Sequence, residues 1–164
     1  MKRTVKSVLC ELLKDASRSD RELAKSLRVS QPTVSRVRNK LVENGLIRQF
    51  TVIPDFNALG FEILAITSFT SKDSKETHER VKKWAASKPN ILFAAAAQGK
   101  GRNELMISLH KNYSEYHSFI SEVKGLGREA EVSGYDTLLV SLKGPIVKSF
   151  SLKYLAEVLQ ASKD

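Results

Sequence analysis

Residues 22–50 read ELAKSLRVSQPTVSRVRNKLVENGLIRQF, and the order of caps, apolar stripes and stops in this stretch decides the fold. Leu23, Ala24 and Leu27 fall on one face of a short helix, and Ser19 with Glu22 has the spacing of a capping box at its start. Arg28-Val29-Ser30 makes a tight connection, with Ser30 a natural N-cap for the helix that follows. Pro32 sits in the first turn of that helix, where a missing amide proton does no harm. Val34, Val37 and Leu41 form its apolar stripe, and Asn44-Gly45 supplies a left-handed stop. Two short helices joined by three residues make a helix-turn-helix. Upstream, Val5, Val8, Leu9, Leu12 and Leu13 follow the rhythm of an amphipathic helix, with Thr4 as its cap and Cys10 toward its polar face. Downstream, Leu46 and Ile47 pack beneath, and residues 49–53 alternate like a strand.

Charge is concentrated in the same region. The chain has 164 residues and a formal charge of +9. Residues 1–50 hold twelve cations and five anions, or +7, which leaves only +2 on the remainder. A basic first third on a nearly balanced remainder points to a polyanionic partner, although a charged face also serves solubility alone. On the third helix, Pro32, Ser35, Arg36, Asn39 and Glu43 point away from the apolar stripe. Thr33 and Lys40 flank one edge, and Gln31 and Arg38 the other. Arg pairs with guanine and Gln or Asn with adenine in the major groove, so Gln31, Ser35, Arg36 and Asn39 are candidates for reading bases. Thr33, Arg38 and Lys40 suit phosphates, and Ser30 with the helix N-terminal amides adds an anion site.

The stretch from Glu22 to Phe50 resembles the DNA-binding domain of the Lrp/AsnC, or feast/famine, regulators. The opening ELAK-x-L-x-VS, the V/I-x-R-x-x-L helix and the exit ENGLIRQF are similar to the family pattern in order and spacing. The likeness continues through Ile53-Pro54-Asp55 and Leu59-Gly60-Phe61, and then covers most of the chain with lower specificity. It implies a second domain for amino-acid sensing and oligomer assembly.

The second half reads independently as strands and helices in the order β-α-β-β-α-β, a split βαβ or ferredoxin-like unit. Strands are expected over residues 63–69, 91–97, 105–109 and 131–142, the last opening after a Gly125-Leu126-Gly127 break. A helix with Val81, Trp84 and Ala85 inward and another carrying Tyr116, Phe119, Ile120 and Val123 lie between them. Where the family's effector loop has Gly-x-Tyr/Phe-Asp, this chain has Gly101-Arg102-Asn103-Glu104. The resemblance therefore makes Gly101, Arg102 and Glu104 effector-binding candidates, with Arg102 facing either a ligand carboxylate or Glu104. The same residues also fit a plain hairpin turn. Val147, Phe150, Tyr154, Leu155 and Val158 add an amphipathic helix at the end, for packing or for a subunit interface.

Several function classes drop out. No apolar stretch approaches the ~20 residues of a membrane-spanning helix. One cysteine excludes an internal disulfide and fits a reducing cytoplasm. Gly99-Lys100-Gly101 lacks the frame of a phosphate loop, and His78, His110 and His117 lack metal-ligand spacing. No catalytic constellation is present, so no catalytic residue, metal or cofactor is expected. The expected architecture is α+β, an N-terminal winged helix-turn-helix (1–48), a hinge strand and linker (49–60), and a C-terminal ferredoxin-like βαββαβ domain with an extra C-terminal amphipathic helix (61–164). The expected function is a sequence-specific regulator that binds double-stranded DNA as a homodimer or higher homo-oligomer and answers to a small molecule such as an amino acid. Two rivals remain, a sequence-indifferent protein that coats DNA and a metabolite-binding or enzymatic module on the second half.

Overall fold

The chain divides after Ile53 and again before Lys148, so that its two ends belong to one unit and residues 54–147 to the other. The structure, a computed structural model, describes residues 3–72, 74–129 and 132–161.

The first unit holds α1 (Arg3–Lys14), α2 (Asp20–Leu27), α3 (Gln31–Glu43) and α6 (Lys153–Ala161). Its core is Val8, Leu12, Leu23, Ala24, Val34, Val37 and Leu41, with Val5, Leu9, Leu27, Val29 and Ile47 packed around it. These are the stripes expected from periodicity. Ser19 caps α2 by accepting from the Glu22 amide while Glu22 reaches back to the Ser19 amide, a complete capping box. The Ser19 hydroxyl and amide hold the Glu22 carboxyl below its ordinary range. Arg28 ends α2 in the left-handed region, at φ 54°. After Asn44, Gly45 turns the chain at φ +69°.

Four expectations change here. Thr4 lies inside α1 rather than capping it. The strand expected within 49–60 does not form, since residues 48–55 belong to no helix or strand and 56–60 are turn. Alternation assigns faces, but a strand also needs a ladder partner, and among the described residues none is offered. Phe50, Val52 and Ile53 stand exposed as a result. The C-terminal helix packs on α1 and belongs to the first unit. Its Ala156 is fully buried, and so is Cys10, whose Sγ lies 3.7 Å from the Ala156 carbonyl. Cys10 is therefore an interior residue, because α6 covers the α1 face that local periodicity marks as polar.

The second unit is a four-stranded antiparallel sheet of β1 (Ile63–Thr70), β2 (Ile91–Gly99), β3 (Arg102–His110) and β4 (Ser133–Ser141) in the order β2-β3-β1-β4. With α4 (Lys75–Ala86) and α5 (Tyr113–Glu129) as crossovers, this is the ferredoxin-like arrangement. Ser74 caps α4 and Asn112 caps α5 through its Oδ1, which accepts from the Glu115 amide at 2.9 Å. Helix α5 runs through Gly125 and residues 126–127, where a break was expected. Each helical glycine costs about 1 kcal/mol, and the burial of Phe119, Ile120 and Val123 on the same helix outweighs it. Glu131, at the expected start of the last strand, lies outside the described residues.

The helix-facing side of the sheet buries Ala65, Phe69 and Met106 against Tyr116, Phe119, Ile120 and Val123. The opposite side has an apolar row across all four strands, Phe93–Ile107–Ile66–Leu138, set by the pairing register. At its ends Phe93 is 52% and Leu138 70% exposed.

Candidate nucleic-acid interface and effector cavity

Helix α3 starts at a Ser30 N-cap whose Oγ accepts from the Thr33 amide and lies 2.8 Å from the Thr33 Oγ1. Val34, Val37 and Leu41 fix one side of the helix in the core. Gln31, Pro32, Arg36, Asn39 and Lys40 are thereby forced outward, and all are exposed. This face offers amide, guanidinium and ammonium groups along the length of a seated helix, as groove reading requires. Thr33 is half-buried at the edge.

Ser35 and Arg38 stand elsewhere than the helical wheel alone places them. The Ser35 Oγ donates to the Asp20 Oδ2 at 2.5 Å. The Arg38 Nε lies 2.7 Å from the Asp20 Oδ1, an ion pair without an aligned hydrogen bond. Its Nη2 donates to the Arg18 carbonyl at 3.0 Å, and its guanidinium carbon sits 5.7 Å from the Phe50 ring centre. Both side chains thus turn toward α2 and are half-buried there. Behind them, Glu11 accepts from Lys14 and Arg18, and these bonds hold its carboxyl below the ordinary range. Asp20 is the residue that sequence reading misses: fifteen positions from Ser35, it gives no local signal beyond that of an acid in a first helical turn.

In the second unit, Lys100 and Gly101 both have positive φ (48° and 70°) at the tip of the β2–β3 hairpin, a two-residue turn that suits glycine. The Gly101 carbonyl accepts from the Thr70 hydroxyl at 2.8 Å. Gly101 therefore shapes the loop. Arg102 reaches toward β4, where its guanidinium occupies the space that a Cβ on Gly134 would fill. Asn103 acts as a clamp: its side chain accepts from the Ser71 amide and donates to the Ser71 carbonyl, both at 2.8 Å. Glu104 is 7% exposed and accepts from the Ser71 hydroxyl at 3.1 Å, with the His78 Nε2 at 3.5 Å. Ser71 and His78, neither expected at the site, are the partners that hold it.

Glu104 lines a cavity of about 410 Å³ between α4 and β2. His78 and Lys82 share its polar side, while Val81, Ala85 and Ile91 are among its apolar walls. Small side chains at Ala94 and Ala96 leave the space open. Of the three effector candidates, Glu104 alone is among the lining residues.

Comparison with known proteins agrees with both halves. Residues 1–48 match the family model for winged helix-turn-helix DNA-binding domains. The transcriptional regulator AzlB of Bacillus subtilis is 32% identical over 139 residues, 84% of this chain and 86% of AzlB. The regulator LrpC of the same organism is 32% identical over 93 residues, 57% of this chain and 63% of LrpC. A transcriptional regulator of Neisseria meningitidis, solved as a complex with L-Met, superposes with a TM-score of 0.77 at 17% identity, covering 94% of this chain and 99% of that one. A capped helix-turn-helix, a ferredoxin-like sheet unit and likeness along most of AzlB converge on one assignment: the chain belongs to the Lrp/AsnC family of DNA-binding transcription regulators.

Proposed function

We propose that α3 reads specific sites on double-stranded DNA, with Gln31, Arg36 and Asn39 at base edges and Lys40, Thr33 and the Ser30-capped N-terminus at phosphates. The observation that carries this is the exposed polar face of α3, held outward by Val34, Val37 and Leu41 on the opposite side. Unbiased in vitro selection of DNA sites tests it. Arg36→Ala should cost about 1–3 kcal/mol on the selected site and relax the preference at one position. Lys40→Ala should weaken all sequences alike and flatten the salt dependence by about one unit. A DNA-coating protein would yield no enriched site.

The active form on this reading is a homodimer or larger homo-oligomer, which supplies two α3 helices about 34 Å apart for a pseudo-palindromic site. Support comes from the apolar row Phe93–Ile107–Ile66–Leu138 on the uncovered sheet face, the kind of surface soluble proteins bury against a partner. Leu138→Asp should shift the sedimentation of the protein toward a smaller species.

The effector on this reading is an amino acid held in the α4–β2 cavity, with Glu104 facing its ammonium group and Lys82 its carboxylate. The cavity's apolar walls and single buried carboxylate support this. Titration calorimetry against the amino acids, repeated with Glu104→Gln, is the test. Equal heats for the two proteins would remove Glu104 from the site.

A further inference from the structure

Asp20 opens α2 with each carboxylate oxygen on a different α3 side chain. Ser35 and Arg38 are three residues apart, so they lie on adjacent turns of one helix edge, and a single carboxylate spans both. Arg38 is held further by the Arg18 carbonyl and the Phe50 ring, and its side chain is only 21% exposed. Arg36 and Lys40, by contrast, are exposed along the rest of the helix.

We propose that Asp20 is a positioning residue for DNA reading: through Ser35 it seats α3 on α2, and by pairing with Arg38 it keeps that guanidinium out of phosphate contact. The inference rests on the reading of α3 as the recognition helix. Its physical basis is a separation of tasks. A phosphate contact strengthens binding to every sequence, whereas selectivity depends on how reproducibly α3 presents its side chains to base edges. A charge-assisted hydrogen bond from Ser35 fixes that presentation. The ion pair leaves no net charge at this edge of the helix, so the phosphate contacts fall to Lys40 and the N-terminal amides. Arg38 is thus removed from the residues assigned to phosphate on sequence grounds.

The experiment measures binding of the full chain to a selected duplex and a random duplex across a salt series. Asp20→Asn keeps the shape and an acceptor for Ser35 but removes the charge. It should tighten binding to both duplexes several-fold and steepen the log–log salt slope by about 0.9, the value of one phosphate contact. Asp20→Asn combined with Arg38→Gln restores a neutral pair, and its slope should match the native one. Ser35→Ala leaves the charges in place. It should reduce the preference for the selected duplex about tenfold, the worth of one such bond, with an unchanged slope. A purely structural role would instead lower binding of Asp20→Asn to both duplexes in proportion to lost thermal stability, with no change of slope, and would overturn the proposal. So would a double variant whose slope is one unit shallower than native, because Arg38 would then be a phosphate ligand. The double variant carries the charge test by itself if Asp20→Asn does not fold. Arg36→Ala separates the two levels: if it alters preference while the Asp20 and Ser35 variants behave as native, only this inference falls. If Arg36→Ala changes nothing on any duplex, the reading of α3 falls with it.

Discussion

Acid should weaken the second unit through one side chain, His110. This residue is fully buried at the end of β3, with its Nε2 2.9 Å from the Ser108 Oγ and the rings of Phe119 and Tyr116 at 5.0 and 5.5 Å. Burial among these groups disfavours the charged imidazolium and lowers the His110 pKa, while the Glu115 carboxylate pulls weakly the other way. In the unfolded chain the same imidazole titrates near its ordinary value, about 6.5. Above that pH both states are neutral and the stability is flat. Below it the unfolded chain takes up a proton that the native state refuses, so stability falls until the native pKa is reached. The slope for one proton is at most about 1.4 kcal/mol per pH unit. Trp84 is the only tryptophan of the chain and lies 5.8 Å from the Phe119 ring, so its fluorescence follows this core. Urea unfolding monitored at Trp84 between pH 5.5 and 7.5 should show the slope in the native protein. In His110→Gln the slope should be lost, although that variant starts from a lower stability. Because His78 and His117 are present in both proteins, the difference isolates His110. Identical slopes would mean that burial does not withhold the proton, and the reasoning would fail.

Three further outcomes follow from packing and hydrogen bonding. Leu41→Ala removes a side chain that is 2% exposed in a small helical core and should cost about 2–5 kcal/mol, seen as a lower midpoint of helical unfolding by circular dichroism. A loss below 1 kcal/mol would contradict the core assignment. Ser19→Ala breaks the capping box of α2 and should cost about 1 kcal/mol in chemical denaturation, with the Glu22 carboxyl moving up toward its ordinary pKa in a carboxyl NMR titration. Asn103→Ala frees the Ser71 amide and carbonyl and should cost about 1–3 kcal/mol. Hydrogen exchange at the Ser71 amide should then accelerate, and unchanged protection would show that the clamp is not what orders the segment.

Legibility in the sequence followed the range of the interactions. Most of what is set by residues within a few positions was readable: the Ser19–Glu22 box, the Ser30 cap, the stop at Asn44-Gly45 and the apolar stripes that became the two cores, though not the start of α1, which takes in Thr4. The outward placement of Arg36, Asn39 and Lys40 followed from the same periodicity. Most of what failed needed a distant partner. Residues 49–53 alternate as a strand does, but pairing depends on another segment being alongside. The bend of Ser35 and Arg38 toward α2 depends on Asp20, and the burial of Cys10 on Ala156. Gly125 went against the local rule because the apolar face of α5 outweighs a glycine's cost. Around Glu104, the resemblance to a family loop marked the carboxylate that lines the α4–β2 cavity. It gave no hint of Ser71, which directly follows β1, or of His78 on α4.

The contact between Cys10 and Ala156 joins residues 146 positions apart. A ribosome adds about 5–20 residues per second, so α6 emerges roughly 7 to 30 s after α1. For that interval α1, α2 and α3 exist with one side of α1 uncovered, while β4, which ends at Ser141, completes the sheet of the second unit about 0.6 to 2.4 s before α6 begins. In a nascent chain the later-made sheet unit can therefore complete its core before the earlier-made helical unit does. The order of synthesis and the order of folding are then reversed, and a chain interrupted before residue 153 would carry the exposed polar face of α3 on a unit that lacks α6.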